Sequence, residues 1–156
     1  MADCEDQTAL DKWEWNRGPI GRMVKIAYIS LRRQVEAMLR PLGLTHTQWS
    51  ALGILYHFPG LTNSDLETML HIERPSVTSL INGMEDKGWV VRKENPKDAR
   101  SKLIFLTESG KALAESTLHF ARLVDEKALR HFSEEEKMML RKLLEKLIQH
   151  TNSAVF

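Results

Sequence analysis

Small polar residues share one face of a predicted helix that begins near Pro75 and ends before Gly88. Apolar residues recur at helical spacing at Val77, Leu80, Ile81 and Met84, which predicts that this side of the helix is buried. On the opposite side, hydroxyl and amide groups can bond to phosphates or base edges, and small side chains permit a close approach. The candidate DNA-binding residues of this helix are Arg74, Pro75, Ser76, Thr78, Ser79 and Asn82.

A basic segment follows the helix and is flanked by two β-prone runs, Val90–Val91 and Leu103–Leu106. Between the runs stand five cations and two anions, and an Asn-Pro dipeptide gives a turn signal. We therefore expect a β-hairpin whose cationic tip can reach phosphates or a minor groove. We also expect Asp98 to orient Arg100 through an ion pair. The candidate DNA-binding residues of the hairpin are Lys97, Asp98, Arg100 and Lys102.

A shorter helical pattern precedes the polar helix, and a tight turn at residues 71–73 joins the two. Thr62 is a candidate N-cap, with Asp65 at the third helical position. The stretch Thr62–Thr107 thus has the order of a helix-turn-helix with a hairpin wing. In helix-turn-helix proteins the second helix enters the major groove, with its N-terminal residues leading. The alternative is that the polar face is simply solvated.

One further helix is predicted at the N-terminal end and another directly before the helix-turn-helix. The first extends from Ile20 to Met38 and stops at Pro41; its apolar stripe is wide enough to pack on two sides. The next begins with a capping-box signal, Thr45 with Gln48.

Two long helices are predicted after the wing. Thr107 caps one that reaches Val124, and a capping box of Ser133 and Glu136 opens the last, which carries an apolar stripe from Leu140 to Ile148. Little else in the chain is left to cover that stripe, so we expect a second copy of the chain to bury it in a homodimer. The alternative is that the first and last helices cover one another within a monomer.

The predicted fold class is α+β and mostly helical: a winged helix-turn-helix with N- and C-terminal dimerisation helices. Residues 1–16 are expected to be a flexible acidic tail, residues 17–44 and 108–156 the helical dimerisation region, and residues 45–107 the DNA-binding domain.

Composition limits the functional classes. The net charge is +1 at pH 7, so binding of nucleic acid must rest on local patches. A single cysteine, Cys4, excludes an intrachain disulfide and fits a reducing cytoplasm. We expect a cytoplasmic protein with no membrane partner, because no apolar run is long enough to span a bilayer and the N-terminus is too acidic for a signal peptide.

Catalytic and metal-binding patterns are sparse. The chain has no glycine-rich phosphate loop, nucleophile elbow or HExxH motif, so we expect neither an enzyme nor a cofactor. Its six histidines lack metal-ligand spacing with cysteine. Glu115 and His119 are four residues apart and could share a helix face, but such pairs are more often solvated. We therefore expect no metal site.

Three runs of residues resemble the MarR-type transcriptional regulators over about residues 20–150. Asp98-x-Arg100, followed by Leu106-Thr107 and Gly110, is similar to their wing signature. The run from Pro75 to Ile81, followed by Lys87-Gly-Trp-Val90, resembles their recognition helix and its exit. The run Pro41–Trp49 is closest to the SlyA-like branch. Two residues depart from the pattern: Ser79 stands where many relatives carry Arg, and Ala99 stands where some carry a second wing Arg. Both remove a cation from the DNA face, so affinity or sequence preference is expected to differ.

The resemblance implies a ligand pocket between the dimerisation helices and the DNA-binding unit. Many relatives respond to phenolic or aromatic carboxylates. Arginine can pair bidentately with a carboxylate, and aromatic and hydrogen-bonding side chains can line the rest of such a pocket. The alternative is that the aromatic residues are core and the arginines solvated. The candidate ligand-binding residues are Arg17, Arg22, Tyr28, Thr45, His46 and Trp49.

These patterns predict a ligand-responsive regulator, more in keeping with a repressor, that binds a pseudo-palindromic duplex as a homodimer. Two alternatives stay open. One is a redox response through Cys4, although Asp3, Glu5 and Asp6 should raise the pKa of its thiol and make it inert. The other is a winged helix that binds protein; that would favour an apolar face on the second helix, whereas this face is polar.

Overall fold

The computed structural model describes residues 18–153, which form a mostly helical chain with one small antiparallel sheet. The predicted α+β class is confirmed. In order, the elements are α1 Ile20–Leu39, a 3-10 turn Arg40–Leu42, α2 His46–His57, α3 Asn63–Leu70, α4 Arg74–Asp86, β1 Val90–Glu94, β2 Lys102–Leu106, α5 Glu108–Thr117, α6 Phe120–Ala128 and α7 Glu134–Ser153.

Side-chain caps fix where α2 and α3 begin. The Thr45 hydroxyl accepts from the backbone N–H of Gln48 at 3.2 Å, and the Gln48 side chain accepts from Thr45 N–H at 3.1 Å. Thr62 and Asp65 make the same reciprocal pair at the start of α3, at 3.2 and 2.8 Å. Both predicted capping boxes are therefore confirmed, and each satisfies N–H groups that a helix start would otherwise leave unpaired.

The core of the helix-turn-helix draws one apolar face from each element around it. Leu52 of α2, Leu66 of α3, Ile81 of α4 and Ile104 of β2 are each no more than 1% exposed. The predicted inward face of α4 is confirmed for Val77, Ile81 and Met84, which are fully buried, whereas Leu80 is only half-buried. The opposite face of α4 must therefore point outward.

The wing is anchored to the body at its base. The two strands pair antiparallel, with Val90 opposite Leu106 and Arg92 opposite Ile104. Ile104 also bonds back to the segment before α3: its N–H donates to Leu61 O at 2.8 Å, and its carbonyl accepts from Gly60 N–H at 3.0 Å. Leu61 thus adds a one-residue bridge to the sheet. These bonds fix the direction in which the hairpin leaves the helix-turn-helix.

A glycine lets α5 pack directly against the start of the wing. Thr107 caps α5 by accepting from Gly110 N–H at 3.1 Å, and its own hydroxyl donates to Gly88 O at 2.6 Å. A Cβ on Gly110 would lie 2.0 Å from the Trp89 carbonyl oxygen. Only a residue without a side chain fits this position, so Gly110 is a structural requirement of the wing base.

The single long helix predicted after Thr107 is wrong, because α5 ends at Thr117 and α6 begins at Phe120. The Thr117 carbonyl, which would continue the helical ladder, accepts instead from the indole N–H of Trp49 at 3.2 Å. The Thr117 hydroxyl donates to the Leu113 and Ala114 carbonyls at 3.0 and 3.1 Å. A side chain that enters the ladder in this way breaks or bends a helix.

The chain divides into two compact units, Met1–Phe120 and Ala121–Phe156. In the second unit, the predicted capping box of α7 is confirmed, since Ser133 and Glu136 exchange bonds of 2.8 and 3.2 Å. The apolar stripe of α7 is solvent-exposed in the single chain, with Leu143 57% and Ile148 56% accessible. The N-terminal part of α1 also exposes Ile20, Val24 and Ile26. The predicted domain boundaries stay a prediction.

No helix within residues 18–153 is long and apolar enough to cross a membrane.

Candidate nucleic-acid interface

The start of α4 is positioned by the turn before it and by α3. His71 adopts a left-handed conformation with φ 52°, which ends α3 and turns the chain toward α4. Pro75 stands in the first turn of α4, where a missing N–H is harmless. The Glu73 carbonyl accepts from the N–H groups of Ser76 and Val77 at 2.9 and 3.1 Å. The N-terminus of α4 is therefore regular, and it carries the positive end of the helix dipole.

All six predicted α4 residues lie on the solvent side of the helix. The structure brings together, as exposed neighbours on one face, Arg74, Pro75, Ser76, Thr78, Ser79 and Asn82. None of them is needed for the core, because the buried positions of α4 are occupied by Val77, Ile81 and Met84.

Two members of this face are held by α3. The Arg74 guanidinium lies 3.5 Å from the Glu67 carboxylate. The Thr78 hydroxyl donates to the Arg74 carbonyl at 3.2 Å and accepts from the Asn63 amide at 3.5 Å. These long bonds are weak, so the Thr78 hydroxyl can exchange them for a partner outside the chain. Ser76 and Ser79 have no side-chain bond among the described residues.

A third member, Asn82, is held from the wing. Arg92 of β1 donates from Nη2 to the Asn82 side-chain oxygen at 2.6 Å, and from Nη1 to the Glu85 carboxylate. The Arg92 side chain is 24% exposed, so this bridge is partly shielded from water. Arg92 was not among the residues predicted to contribute to this surface. The sequence gives one indication of this contact: an arginine at the start of the wing follows an asparagine by ten residues and a glutamate by seven.

The tip of the wing, residues 95–101, is organised by its own polar side chains. The Asn95 side chain donates to Ser101 Oγ at 2.7 Å and accepts from Lys97 N–H at 3.0 Å. The predicted Asp98–Arg100 ion pair is wrong. Instead, the Asp98 carboxylate accepts from the backbone N–H of Arg100 at 2.9 Å. A carboxylate bonds readily to the backbone two residues on, and this Asx turn shapes the tip while the guanidinium stays outside.

The five cations of the wing fall into two groups. Lys102 pairs across the hairpin with Glu94, Lys93 lies 4.8 Å from the Phe105 ring centroid, and Arg92 is bound to Asn82 and Glu85. Lys97 and Arg100 are exposed, and within residues 18–153 their charged groups have no acid or hydrogen-bond partner. The wing therefore presents two unpaired positive charges at its tip, where phosphate binding would require them.

The predicted ligand residues are only partly brought together. The Thr45 hydroxyl is used by the capping box, and the Trp49 indole N–H is bound to Thr117 O. His46 lies edge-on to Trp49, with ring centroids 5.5 Å apart. Burial first, and then the nearby charge of Arg32, lower the pKa of His46, which favours its uncharged imidazole. Arg17 lies outside the described residues.

The arginine beside His46 is Arg32 rather than the predicted Arg22. Arg32 pairs with Glu36 at 2.7 Å and interacts with the exposed Tyr28. Arg22 precedes Arg32 by ten positions, which is about 15 Å along a helix axis. Within one chain, Arg22 is therefore too far along α1 to share a small ligand with His46.

An open groove elsewhere contains none of the six predicted ligand residues. It runs beside the start of α4 and is lined by Thr47, Ile72, Pro75, Ser76, Ser79 and Leu80.

The residues considered for metal binding do not come together among the described residues. Among residues 18–153, no group of three or more His, Cys, Asp or Glu side chains could hold a metal ion. Glu115 accepts from the Tyr56 hydroxyl at 3.0 Å, whereas His119 lies beyond the end of α5 and is edge-on to the Phe120 ring. The two are therefore not a ligand pair on one helix. Cys4 lies outside the described residues.

A helix-turn-helix with an exposed polar second helix and a hairpin with unpaired cations defines a winged-helix DNA-binding protein. Residues 42–101 match the family model described as the MarR family. The HTH-type transcriptional repressor Rv2887 of Mycobacterium tuberculosis is 30% identical over 129 residues, which cover 83% of this chain and 93% of that repressor. The chain belongs to the MarR family. It is a DNA-binding transcriptional regulator and not an enzyme.

Solved structures agree with this assignment. The MepR–DNA complex of S. aureus superposes with a TM-score of 0.79 and 25% identity, covering 86% of this chain and 99% of MepR. Rv2887 in complex with salicylic acid gives a TM-score of 0.67 and 29% identity, over 83% and 96% of the two chains. The transcriptional regulator SlyA shares the fold, with a TM-score of 0.80 and 21% identity over 88% of this chain and 96% of SlyA.

Proposed function

We propose that the chain is a homodimeric repressor that binds a pseudo-palindromic operator and releases it when a small aromatic carboxylate binds. The observation that carries the proposal is the exposed polar face of α4 beside the two unpaired cations of the wing tip. The first feature suits contact with base edges, and the second suits contact with phosphates or a minor groove.

In this proposal α4 enters the major groove with its N-terminal turn leading. Ser76 and Ser79 stand on that turn and the next with hydroxyls that can donate or accept, so they are suited to base edges or phosphates. Arg100 and Lys97 would contact the backbone or minor groove alongside. Support comes from the S. aureus MepR structure, a relative solved with DNA that aligns over 86% of this chain.

Dimerisation follows from the exposed apolar face of α7. Leu140, Leu143 and Leu147 recur at helical spacing, and each is at least 37% exposed in the single chain. A stripe of this kind is stable in water only when another surface covers it, and a second copy offers a matching one. A two-fold dimer would place two α4 helices on half-sites about one helical turn apart.

The effector part of the proposal rests on Rv2887, a relative solved with salicylic acid. Within one chain, Arg32 is the candidate for pairing with the carboxylate, because it lies beside His46 and Tyr28. A ligand carboxylate would displace Glu36, whose Oε1 pairs with Arg32 Nε, and would bind the planar guanidinium through two parallel bonds. His46 in its uncharged form would serve as a hydrogen-bond partner rather than as a second cation.

The proposal is tested on duplexes enriched from a random pool by the full-length protein. Light scattering should give the mass of two chains, and a gel shift should show a retarded complex. Saturating salicylate should lower the affinity about 5- to 150-fold, the usual range of allosteric coupling. Failure to retain any duplex would contradict the DNA-binding mode, and a monomer on DNA would contradict the dimer.

The effector site is tested separately. Arg32→Ala should blunt the response to salicylate and leave operator binding intact. Arg33→Ala is the matched control, because it removes the neighbouring exposed charge of α1. If both variants respond to salicylate like the wild type, Arg32 has no role in the effector site.

A further inference from the structure

Arg92 fixes which side of the Asn82 amide can face DNA. Asn82 stands on the exposed face of α4, and its side-chain oxygen accepts from Arg92 Nη2 at 2.6 Å. A guanidinium has only N–H donors, so the group that faces it must be the amide oxygen and not the amide nitrogen. The NH2 group of Asn82 is therefore the part left to point away from Arg92.

The bonds from Arg92 to Asn82 and Glu85 are expected to remain intact when DNA binds. One nitrogen of the Arg92 fork binds Asn82, and another binds the Glu85 carboxylate one helical turn further along α4. Charge-assisted bonds from a planar fork are among the stronger hydrogen bonds in proteins. Because the Arg92 side chain is only 24% exposed, water competes weakly for these bonds. Strand pairing to Ile104 holds the backbone of Arg92 in place.

This geometry matters because asparagine ordinarily reads adenine with both ends of its amide. The oxygen accepts from adenine N6 while the nitrogen donates to N7. The oxygen keeps a second lone pair, but the bond from Arg92 turns it toward the wing, so the part of the amide left to face a base is the NH2 donor. Guanine offers two adjacent acceptors in the major groove, N7 and O6, and thymine offers O4. Adenine also offers N7, but its N6 donor would face the Asn82 NH2 group beside it, and cytosine presents a donor at N4.

We propose that Asn82 reads an acceptor edge, guanine first and thymine second, and that Arg92 is the positioning residue that imposes this choice. The inference rests on the proposed insertion of α4 into the major groove. Arg92 itself touches no base, and it acts by removing the adenine-reading mode of Asn82.

The test compares base preferences after selection from random duplexes by the wild type, Asn82→Ala, Arg92→Met and Glu85→Gln. One position of each half-site should prefer guanine or thymine about five-fold or more over adenine with the wild type, and lose that preference with Asn82→Ala. With Arg92→Met the same position should move toward adenine, while all other positions stay unchanged. Glu85→Gln still offers Arg92 an acceptor oxygen, so it should keep the wild-type preference.

Several results would overturn the inference. The wild type could prefer adenine at the position that Asn82→Ala changes, or Asn82→Ala could change no position. Arg92→Met could leave every preference unaltered, or weaken binding equally on all duplexes with a shallower salt dependence, which would make Arg92 a phosphate ligand. If Arg92→Met does not fold, Arg92→Leu decides in the same way, because its side chain has no donor for the Asn82 oxygen. Absence of any duplex binding by the wild type would instead overturn the proposed function.

Discussion

The outward face of α4 and the tip of the wing differ in whether their charged and polar groups are paired within the chain. On α4 the one cation, Arg74, faces Glu67, and the Asn82 amide is bound by Arg92. At the tip, local hydrogen bonds are made by backbone groups and by Asn95, Asp98 and Ser101, so the charges of Lys97 and Arg100 stay unpaired. One surface has its polar groups oriented, and the other has its cations available.

This difference separates two tasks of DNA recognition. Oriented donors and acceptors distinguish bases, because a hydrogen bond to a base edge depends on direction. Unpaired cations bind the phosphate backbone, which is the same for every sequence and is sensitive to salt. We therefore expect specificity to reside mainly in α4 and sequence-independent affinity mainly in the wing tip.

The largest effect on stability is expected where α5 packs against the base of the wing. Gly110→Ala would place a Cβ 2.0 Å from the Trp89 carbonyl oxygen, so α5 and the wing base must separate. We expect a loss of about 3 kcal/mol in the free energy of unfolding, at the upper end of overpacking costs. Urea denaturation at fixed protein concentration measures it.

Gly83→Ala in α4 is the matched control, because a Cβ there meets nothing within 4 Å. That variant should gain about 0.5–1 kcal/mol, the usual helix-interior difference between Ala and Gly. Equal stabilities of the two variants would show that the wing base can relax around a side chain.

The next effect concerns the wing tip. Arg100→Ala removes an unpaired cation and should weaken DNA binding by about 1–3 kcal/mol. Lys102→Ala is the control in the same hairpin, and it should cost less because Lys102 is already paired with Glu94. Fluorescence anisotropy on one enriched duplex compares them, and a larger loss for Lys102→Ala would contradict the division between paired and unpaired cations.

A smaller effect concerns the capping box at the start of α3, the helix that contacts Arg74 and Thr78 of α4. Bonds from Thr62, first its hydroxyl and then its backbone N–H, lower the pKa of Asp65. A carboxyl with a depressed folded pKa stabilises the protein above its unfolded pKa, and this contribution is lost as the pH falls through the folded pKa. Wild type should therefore exceed Asp65→Asn in stability at neutral pH, and the gap should close in acid. A gap that stays constant from pH 7 to pH 3 would contradict the ionised capping box.

The smallest effect is expected in the turn between α3 and α4. His71 has φ 52°, a left-handed conformation that costs most residues about 1–2 kcal/mol and glycine almost nothing. After the entropic cost of glycine, His71→Gly should gain about 0.5 kcal/mol. DNA affinity should not change, because His71 is not on the outward face of α4. A loss of stability in thermal unfolding would mean that the imidazole makes a contact of its own.

Features set by neighbouring residues were predictable from the sequence. The capping boxes at Thr45 and Thr62 need partners only three residues away, and the inward face of α4 follows from helical spacing. The wing followed from two β-prone runs around a turn. In each case the interacting groups are close in the chain, so local geometry alone brings them together.

Features that join distant parts of the chain were not predictable. The bridge from Arg92 to Asn82 depends on strand register and on the rotation of α4, neither of which can be read from residue types. Trp49 breaks the helix at Thr117 from 68 positions away in the chain. Arg32, and not Arg22, lies beside His46 because of the position along α1 at which α2 packs, and that position cannot be read from residue types.

Asp98 was misassigned for a different reason. Its residue type fits both an ion pair and an Asx turn, and backbone geometry selected the turn.

The division of labour between α4 and the wing tip is tested most directly by salt-dependent binding of two variants to two duplexes. Arg100→Ala and Asn82→Ala are compared with the wild type on an enriched duplex and on its scrambled version. Arg100→Ala should lose affinity equally on both duplexes, and its slope of log K against log salt should be shallower by about 1. Asn82→Ala should lose affinity only on the enriched duplex, with an unchanged slope. If both variants show the same losses on the two duplexes and the same salt slope, specificity and sequence-independent affinity do not reside on separate surfaces.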